Sequence, residues 1–315
     1  MVMNLNQKNA LPQCNGPKKG WNYFLIVLIF IPIMIVSMLS CSLASTPAIM
    51  VLAMKNPEYI KAFKSGDGVL MGKILQELGS STSAMVISLL SEIVMIGIVL
   101  LFCFLIWKRK PSHVGFVKKG ILAEYGLGML VGFVVFSSAV LLAIVTGSLS
   151  LSAGSFTMMI PLLFLGFMIQ GMAEEVLCRG FMMCAIAQRY PLWLAIITNA
   201  VVFAALHLAN PGMTALAFIN LTLYGIFSSL YFARRGNIWG IGAFHSVWNF
   251  IQGSLYGLQV SGTNPLPSVF SSTLNENSTM INGGSFGLEG GLAVTIVMVL
   301  GSILLIWAPW EKKQA

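Results

Sequence analysis

Apolar side chains run along the chain in long blocks, separated by short polar or basic stretches. A helix needs about twenty such residues to cross roughly 30 Å of hydrocarbon at 1.5 Å per residue. The pattern predicts spans over residues 21–44, 83–107, 121–146, 156–189, 192–208, 213–233, 238–258 and 290–310. The fourth would cover roughly 50 Å, more than the hydrocarbon is thick, so it must tilt, kink or project. The first has lysines in front of it but exceeds the apolar core of a signal peptide, and reads as a retained span. The expected fold class is all-α: a polytopic membrane bundle of about eight transmembrane helices.

The segments between spans divide the rest of the chain. Residues 1–20 are polar and rich in Asn, Gln, Lys, Pro and Gly, the composition of a disordered tail. Residues 45–82 mix charged and apolar side chains, as expected of an external loop with a short amphipathic helix. A short uncharged turn precedes residue 156, and Asn210-Pro-Gly212 is a second turn. Residues 259–289 are rich in Ser, Asn, Gly and Pro without Lys or Arg, and suit an exposed loop. The organisation expected is therefore a tail at 1–20, helices with an external loop over 21–150, a core over 151–260, and a loop with the last helix over 261–315.

Composition changes the picture in one respect. With 57% hydrophobic and 9% charged residues, against about 25% charged in soluble domains, the net charge of +8 is no nucleic-acid footprint. The basic residues sit at span ends. Eight spans would gather Lys8, Lys18, Lys19, Lys108, Arg109, Lys110, Lys118, Lys119, Arg189, Arg234, Arg235, Lys312 and Lys313 on one side, leaving Lys55, Lys61, Lys64 and Lys73 on the other. The positive-inside rule then places both termini in the cytoplasm, in a bacterial plasma membrane. Five cysteines show no C-x-x-C spacing, so neither a disulfide framework nor a thiolate metal site is expected.

The unusual chemistry lies in Gln170-Gly-Met-Ala-Glu-Glu-Val-Leu-Cys-Arg-Gly180, where two carboxylates and an arginine interrupt an apolar span. Ionisable groups in hydrocarbon are expensive and usually face a bundle interior or cavity. Glu175 and Arg179 are four apart and can pair. Glu174 lies about 100° round the helix and looks toward Gln170 and Cys178. A purely structural ion pair is the plain alternative. His207 falls in a second span, and His245 and Asn249, four apart, in a third. Counted from the basic ends, Glu174 and His207 lie about 22 Å deep, with His245 and Asn249 at about 15 and 21 Å. This convergence favours a site.

A Glu, two His and an Asn suit attack by water on an amide: the glutamate takes a proton and neutral His and Asn donors stabilise the oxyanion. Glu174, His207 and His245 could instead hold zinc with an open position. H-E-x-x-H is absent, and the spacing chooses neither. Glu92, alone in its span, reads as a structural carboxylate, Cys178 as packing, and Asn199, Asn220 and Tyr224 as interhelical hydrogen-bonding residues.

Glu174-Glu-x-x-x-Arg179, Phe203-x-x-x-His207 and His245-x-x-x-Asn249 resemble, in order and internal spacing, the three motifs of the CPBP intramembrane proteases. That family includes type II CAAX prenyl endopeptidases and bacterial Abi-type, bacteriocin-associated proteins. The resemblance covers about residues 156–258 and makes 151–260 the catalytic core. It implies peptide-bond hydrolysis within the membrane, in CAAX members on the C-terminal side of a lipidated cysteine. By the same resemblance Glu174 and His207 activate water, His245 and Asn249 form the oxyanion hole, and Glu175 and Arg179 support them. Both metal-dependent and glutamic mechanisms have been described; the metal-free one, without cofactor, is the expectation. The partners implied are a peptide or membrane-protein substrate and the bilayer. The contrasting class is non-catalytic: an immunity or scaffold factor, or a proton-coupled transporter, the last weakened by the lack of an internal repeat.

Overall fold

The computed structural model describes residues 3–8, 10–16 and 20–307. Lys18, Lys19, Lys312 and Lys313, which entered the charge asymmetry, lie outside the described residues, as does the end of the last expected span. The chain is an all-α membrane bundle with one small hairpin-like sheet. In order it forms α1 (Tyr23–Met54), α2 (Pro57–Ser65), α3 (Gly68–Gly79), α4 (Thr82–Ser91), α5 (Ile93–Leu105), α6 (Ile121–Val145), β1 (Leu149–Ala153) and α7 (Met159–Glu175). After α7 come α8 (Cys184–Ala187), α9 (Leu192–Ala205), α10 (Ala215–Arg235), α11 (Ile238–Phe250), β2 (Phe270–Leu274), α12 (Thr279–Asn282) and α13 (Leu292–Trp307).

Five helical stretches are long and apolar enough to cross a membrane: Tyr23–Met54, Thr82–Leu105, Ile121–Val145, Met159–Ala187 and Ala215–Arg235. Leu192–Ala205 and Leu292–Trp307 are apolar but shorter. α11 is also short and continues through a wider π-type turn at Ile251–Leu255. The helices thus stand where the eight spans were expected, and five of them reach full spanning length.

Burial sorts the bundle into core and periphery. Only 28% of the best window of α1 is buried, against 61% for Met159–Ala187 and for α10. Large apolar side chains such as Leu43, Leu122 and Leu141 are exposed on the peripheral helices, a surface suited to lipid. α11 is the opposite case, buried from Ile241 to Asn249 without interruption. A helix apolar all round belongs inside. It packs between α6 and α7, while α10 packs against α9 and α13 and α4 against α7.

Glycine sets the closest of these crossings. A Cβ on Gly171 of α7 would fall 2.5 Å from the Ser246 nitrogen of α11, and one on Gly132 of α6 would fall 2.6 Å from the Phe244 carbonyl oxygen. Both are too short for any side chain. The Gly171 contact matters for function, because it brings the backbone of α7 against α11 one turn from Glu174, Glu175 and His245.

Three sequence expectations change. The tail predicted to be disordered packs on the bundle: the Trp193 nitrogen donates to the Leu5 carbonyl and the Leu192 nitrogen to the Gln7 carbonyl, while Leu11 and Cys14 are buried. Cys14 and Cys184 form a disulfide. The absence of C-x-x-C spacing could not reveal it, because its partners are 170 residues apart. The segment 259–289 is not simply an exposed loop either. β2 pairs antiparallel with β1, from Leu149 opposite Leu274 to Ala153 opposite Phe270, and Asn282 and Glu289 are buried.

Candidate active site

α7 ends at Glu175 and passes into a π-type turn over Val176–Met183. Such wider turns inside α-helices are frequent at functional sites. Here the turn lets the overlong fourth segment change course inside the bundle. The Cys178 carbonyl within it accepts a hydrogen bond from Asn199 Nδ2 of α9 at 2.6 Å, so a buried backbone acceptor keeps a partner.

The two adjacent glutamates have different surroundings, as their helical positions predict. Arg179 Nη1 donates to Glu175 Oε1 at 2.8 Å, with both side chains fully buried. The guanidinium also lies 4.7 Å from the centre of the Phe203 ring and reaches the Gly225 carbonyl of α10. Glu174 is off this face and partly open, its side chain 23% exposed. Gln170, one turn earlier, donates Nε2 to Glu174 Oε1 at 2.6 Å.

α11 joins both carboxylates. His245 Nδ1 lies 2.9 Å from Glu175 Oε1, and its Nε2 lies 3.8 Å from Glu174 Oε2. A carboxylate paired with arginine can only accept, so the hydrogen of this bond sits on Nδ1. The neutral ring therefore presents an unprotonated Nε2 toward Glu174, and becomes a donor there only as imidazolium. One turn further, Asn249 Nδ2 donates to Gln170 Oε1 at 2.9 Å. An amide nitrogen carries two hydrogens, which leaves one for another acceptor.

Of these groups Gln170, His245 and Asn249 border a cavity of about 200 Å³, whose walls also include His207, Tyr224, Glu92 and Glu289. His207 sits just beyond α9, its Nδ1 2.9 Å from the Phe203 carbonyl and its ring 4.9 Å from that of Phe203. Among the described residues no hydrogen bond or ion pair joins His207 to Glu174. The structure thus brings together Glu174, Glu175, Arg179, His245 and Asn249, and sets His207 on the same cavity wall.

Sequence reasoning missed three contributors. Gln170 bridges Glu174 and Asn249; its place four residues before Glu174 was the available signal. Glu289 accepts from Trp248 Nε1, Gln252 Nε2 and both the nitrogen and hydroxyl of Ser261, tying the segment before α13 to α11. It lies in a stretch read as loop, and nothing local marked it. Tyr224 packs its ring 5.2 Å from that of His245.

The donor set that zinc would require is Glu174, His207 and His245. Among the described residues no three His, Cys, Asp or Glu side chains converge as a group able to hold a metal. The arrangement as it stands does not fit such an ion, and the chemistry below is derived without one.

Residues 155–251 match the family model described as type II CAAX prenyl endopeptidase Rce1-like. This segment is similar to that family. It makes up about a third of the chain and contains all six polar residues of the three motifs. The N-terminal helices and residues 252–315 lie outside the match. No curated protein and no solved structure matches the chain.

Proposed function

We propose that the protein is an intramembrane endopeptidase that hydrolyses a peptide bond of a peptide or small membrane protein through a glutamate-activated water. The observation that carries this reading is the approach of Glu174 to His245 and its link through Gln170 to Asn249, beside one cavity. The likeness of residues 155–251 to prenyl endopeptidases supplies the reaction class. It extends to this chain's substrate only as part of the proposal.

In this reading Glu174 removes a proton from water, with His207 orienting the water from the cavity wall. The water oxygen attacks the carbonyl carbon, and negative charge develops on the carbonyl oxygen. Asn249 offers that oxygen its second amide hydrogen, and His245 offers Nε2–H when the ring is protonated between the two carboxylates. Glu175 and Arg179 hold the His245 ring and fix which nitrogen faces the cavity. Both termini lie in the cytoplasm, and the membrane is a bacterial plasma membrane.

The test is comparative peptidomics of cells carrying wild-type protein or Glu174→Gln. Glutamine keeps the shape and the bond from Gln170 but cannot take the water's proton. Cleavage should be abolished while the purified variant keeps its thermal transition in detergent. Normal cleavage by Glu174→Gln would remove the catalytic reading. Prolonged chelation of the wild-type protein should leave activity intact. Loss of activity restored by zinc would transfer Glu174, His207 and His245 to a metal site.

A further inference from the structure

Amide hydrolysis needs an acid as well as a base, because an amine leaves poorly until its nitrogen is protonated. Glu92 stands outside the Rce1-like segment, yet it lines the same cavity as His207, His245 and Asn249. It occupies the break between α4 and α5, ending the first and opening the second. Its Oε2 is buried and has no hydrogen-bond partner among the described residues. Its helix α4 packs against α7, the helix that carries Gln170 and Glu174. The other acid on this wall is differently placed: four hydrogen bonds from Trp248, Gln252 and Ser261 converge on Glu289. Those donors stabilise a fixed negative charge and leave it no proton to give.

We propose that Glu92 is the general acid of this site, a neutral carboxyl in the cavity wall with His245 and Asn249 that protonates the departing amine. The assignment rests on the hydrolase reading above. An ionised oxygen buried without a donor is costly, whereas its protonated form is not. Carboxyls whose surroundings differ hold their protons differently, and such a division sets acid against base.

The step balances. One proton of the attacking water passes to Glu174, and the hydroxyl oxygen bonds to the carbonyl carbon, pushing the π pair onto oxygen. As the carbonyl re-forms, the carbon–nitrogen bond breaks with its electron pair going to nitrogen, which takes the proton of Glu92. The proton held by Glu174 then returns to Glu92. One water is consumed, and a carboxylic acid and an amine are released.

The test compares Glu92→Gln, Glu92→Asp and wild type on a farnesylated, internally quenched CAAX-type peptide and on its counterpart with an ester at the scissile position. An alkoxide leaves with far less need of a proton than an amine. Glu92→Gln should lose about 10²-fold or more of kcat on the amide and much less on the ester, with Glu92→Asp recovering part of the amide rate. Equal losses on both probes, or wild-type amide cleavage by Glu92→Gln, would overturn the assignment while leaving the hydrolase reading standing. Wild-type protein that cleaves neither probe would remove both. Independently of activity, the infrared band of a protonated carboxyl in wild type should vanish in Glu92→Gln, and its persistence would also overturn the assignment.

Discussion

Arg179 and His245 both depend on Glu175, each 2.8–2.9 Å from its Oε1. Replacing Glu175 by glutamine leaves a guanidinium buried without its counter-charge, a change that costs about 3–5 kcal/mol when one partner of a buried pair is removed. Glu175→Gln should therefore lower the thermal transition in detergent and reduce activity, whereas Glu174→Gln should affect activity alone. Glu175→Gln with Arg179→Met should regain part of the lost stability. A destabilised Glu174→Gln beside a stable, silent Glu175→Gln would show the roles reversed. The Glu175–Arg179 pair was legible in the sequence because a helical spacing of four fixes it. The links from His245 to Glu175 and from Asn249 to Gln170 were not, since they cross between helices whose relative rotation no single span encodes. That Glu92 lines the same cavity was not legible either, since one span does not show what its carboxyl faces.

At the scale of helices, the α7–α11 crossing positions the chemistry. Alanine at Gly171 would set its methyl 2.5 Å from the Ser246 nitrogen, so the two helices must move apart. Gly171→Ala should cost activity out of proportion to stability, by about 10²-fold if a shift near 1 Å reaches the reacting groups. The measurement is kcat beside the detergent melting temperature. An unchanged kcat would show that the crossing tolerates displacement. The existence of the helices was legible from runs of apolar residues, but their internal breaks were not. The π-type turn at Val176–Met183 carries no proline or local sequence signal. Its place is set by tertiary partners, including the bond from Asn199 to the Cys178 carbonyl.

For the whole molecule, three arginines expected on one face are each tied to the end of a helix or the residue just beyond it. Arg109 donates to Gln188, Arg235 pairs with Glu124, and Arg234 donates to the Leu305 and Ile306 carbonyls. Reporter fusions after residues 115 and 236 should report cytoplasm, and one at 275 the outside. A cytoplasmic signal at 275 would overturn the eight-span topology. The tail and its Cys14–Cys184 bridge escaped the sequence reading because a polar segment shows its docking partner only once the bundle exists. The unused amide hydrogen of Asn249 has a consequence for any peptide that reaches Glu174. In a helix each carbonyl already accepts from the amide four residues further on, so the scissile carbonyl must lose that partner before it can turn toward Asn249. A substrate entering from the bilayer must first unwind and offer an extended strand. Selectivity would then reside in how readily a candidate helix frays at the scissile bond, with glycine or proline nearby marking the chains that are cut.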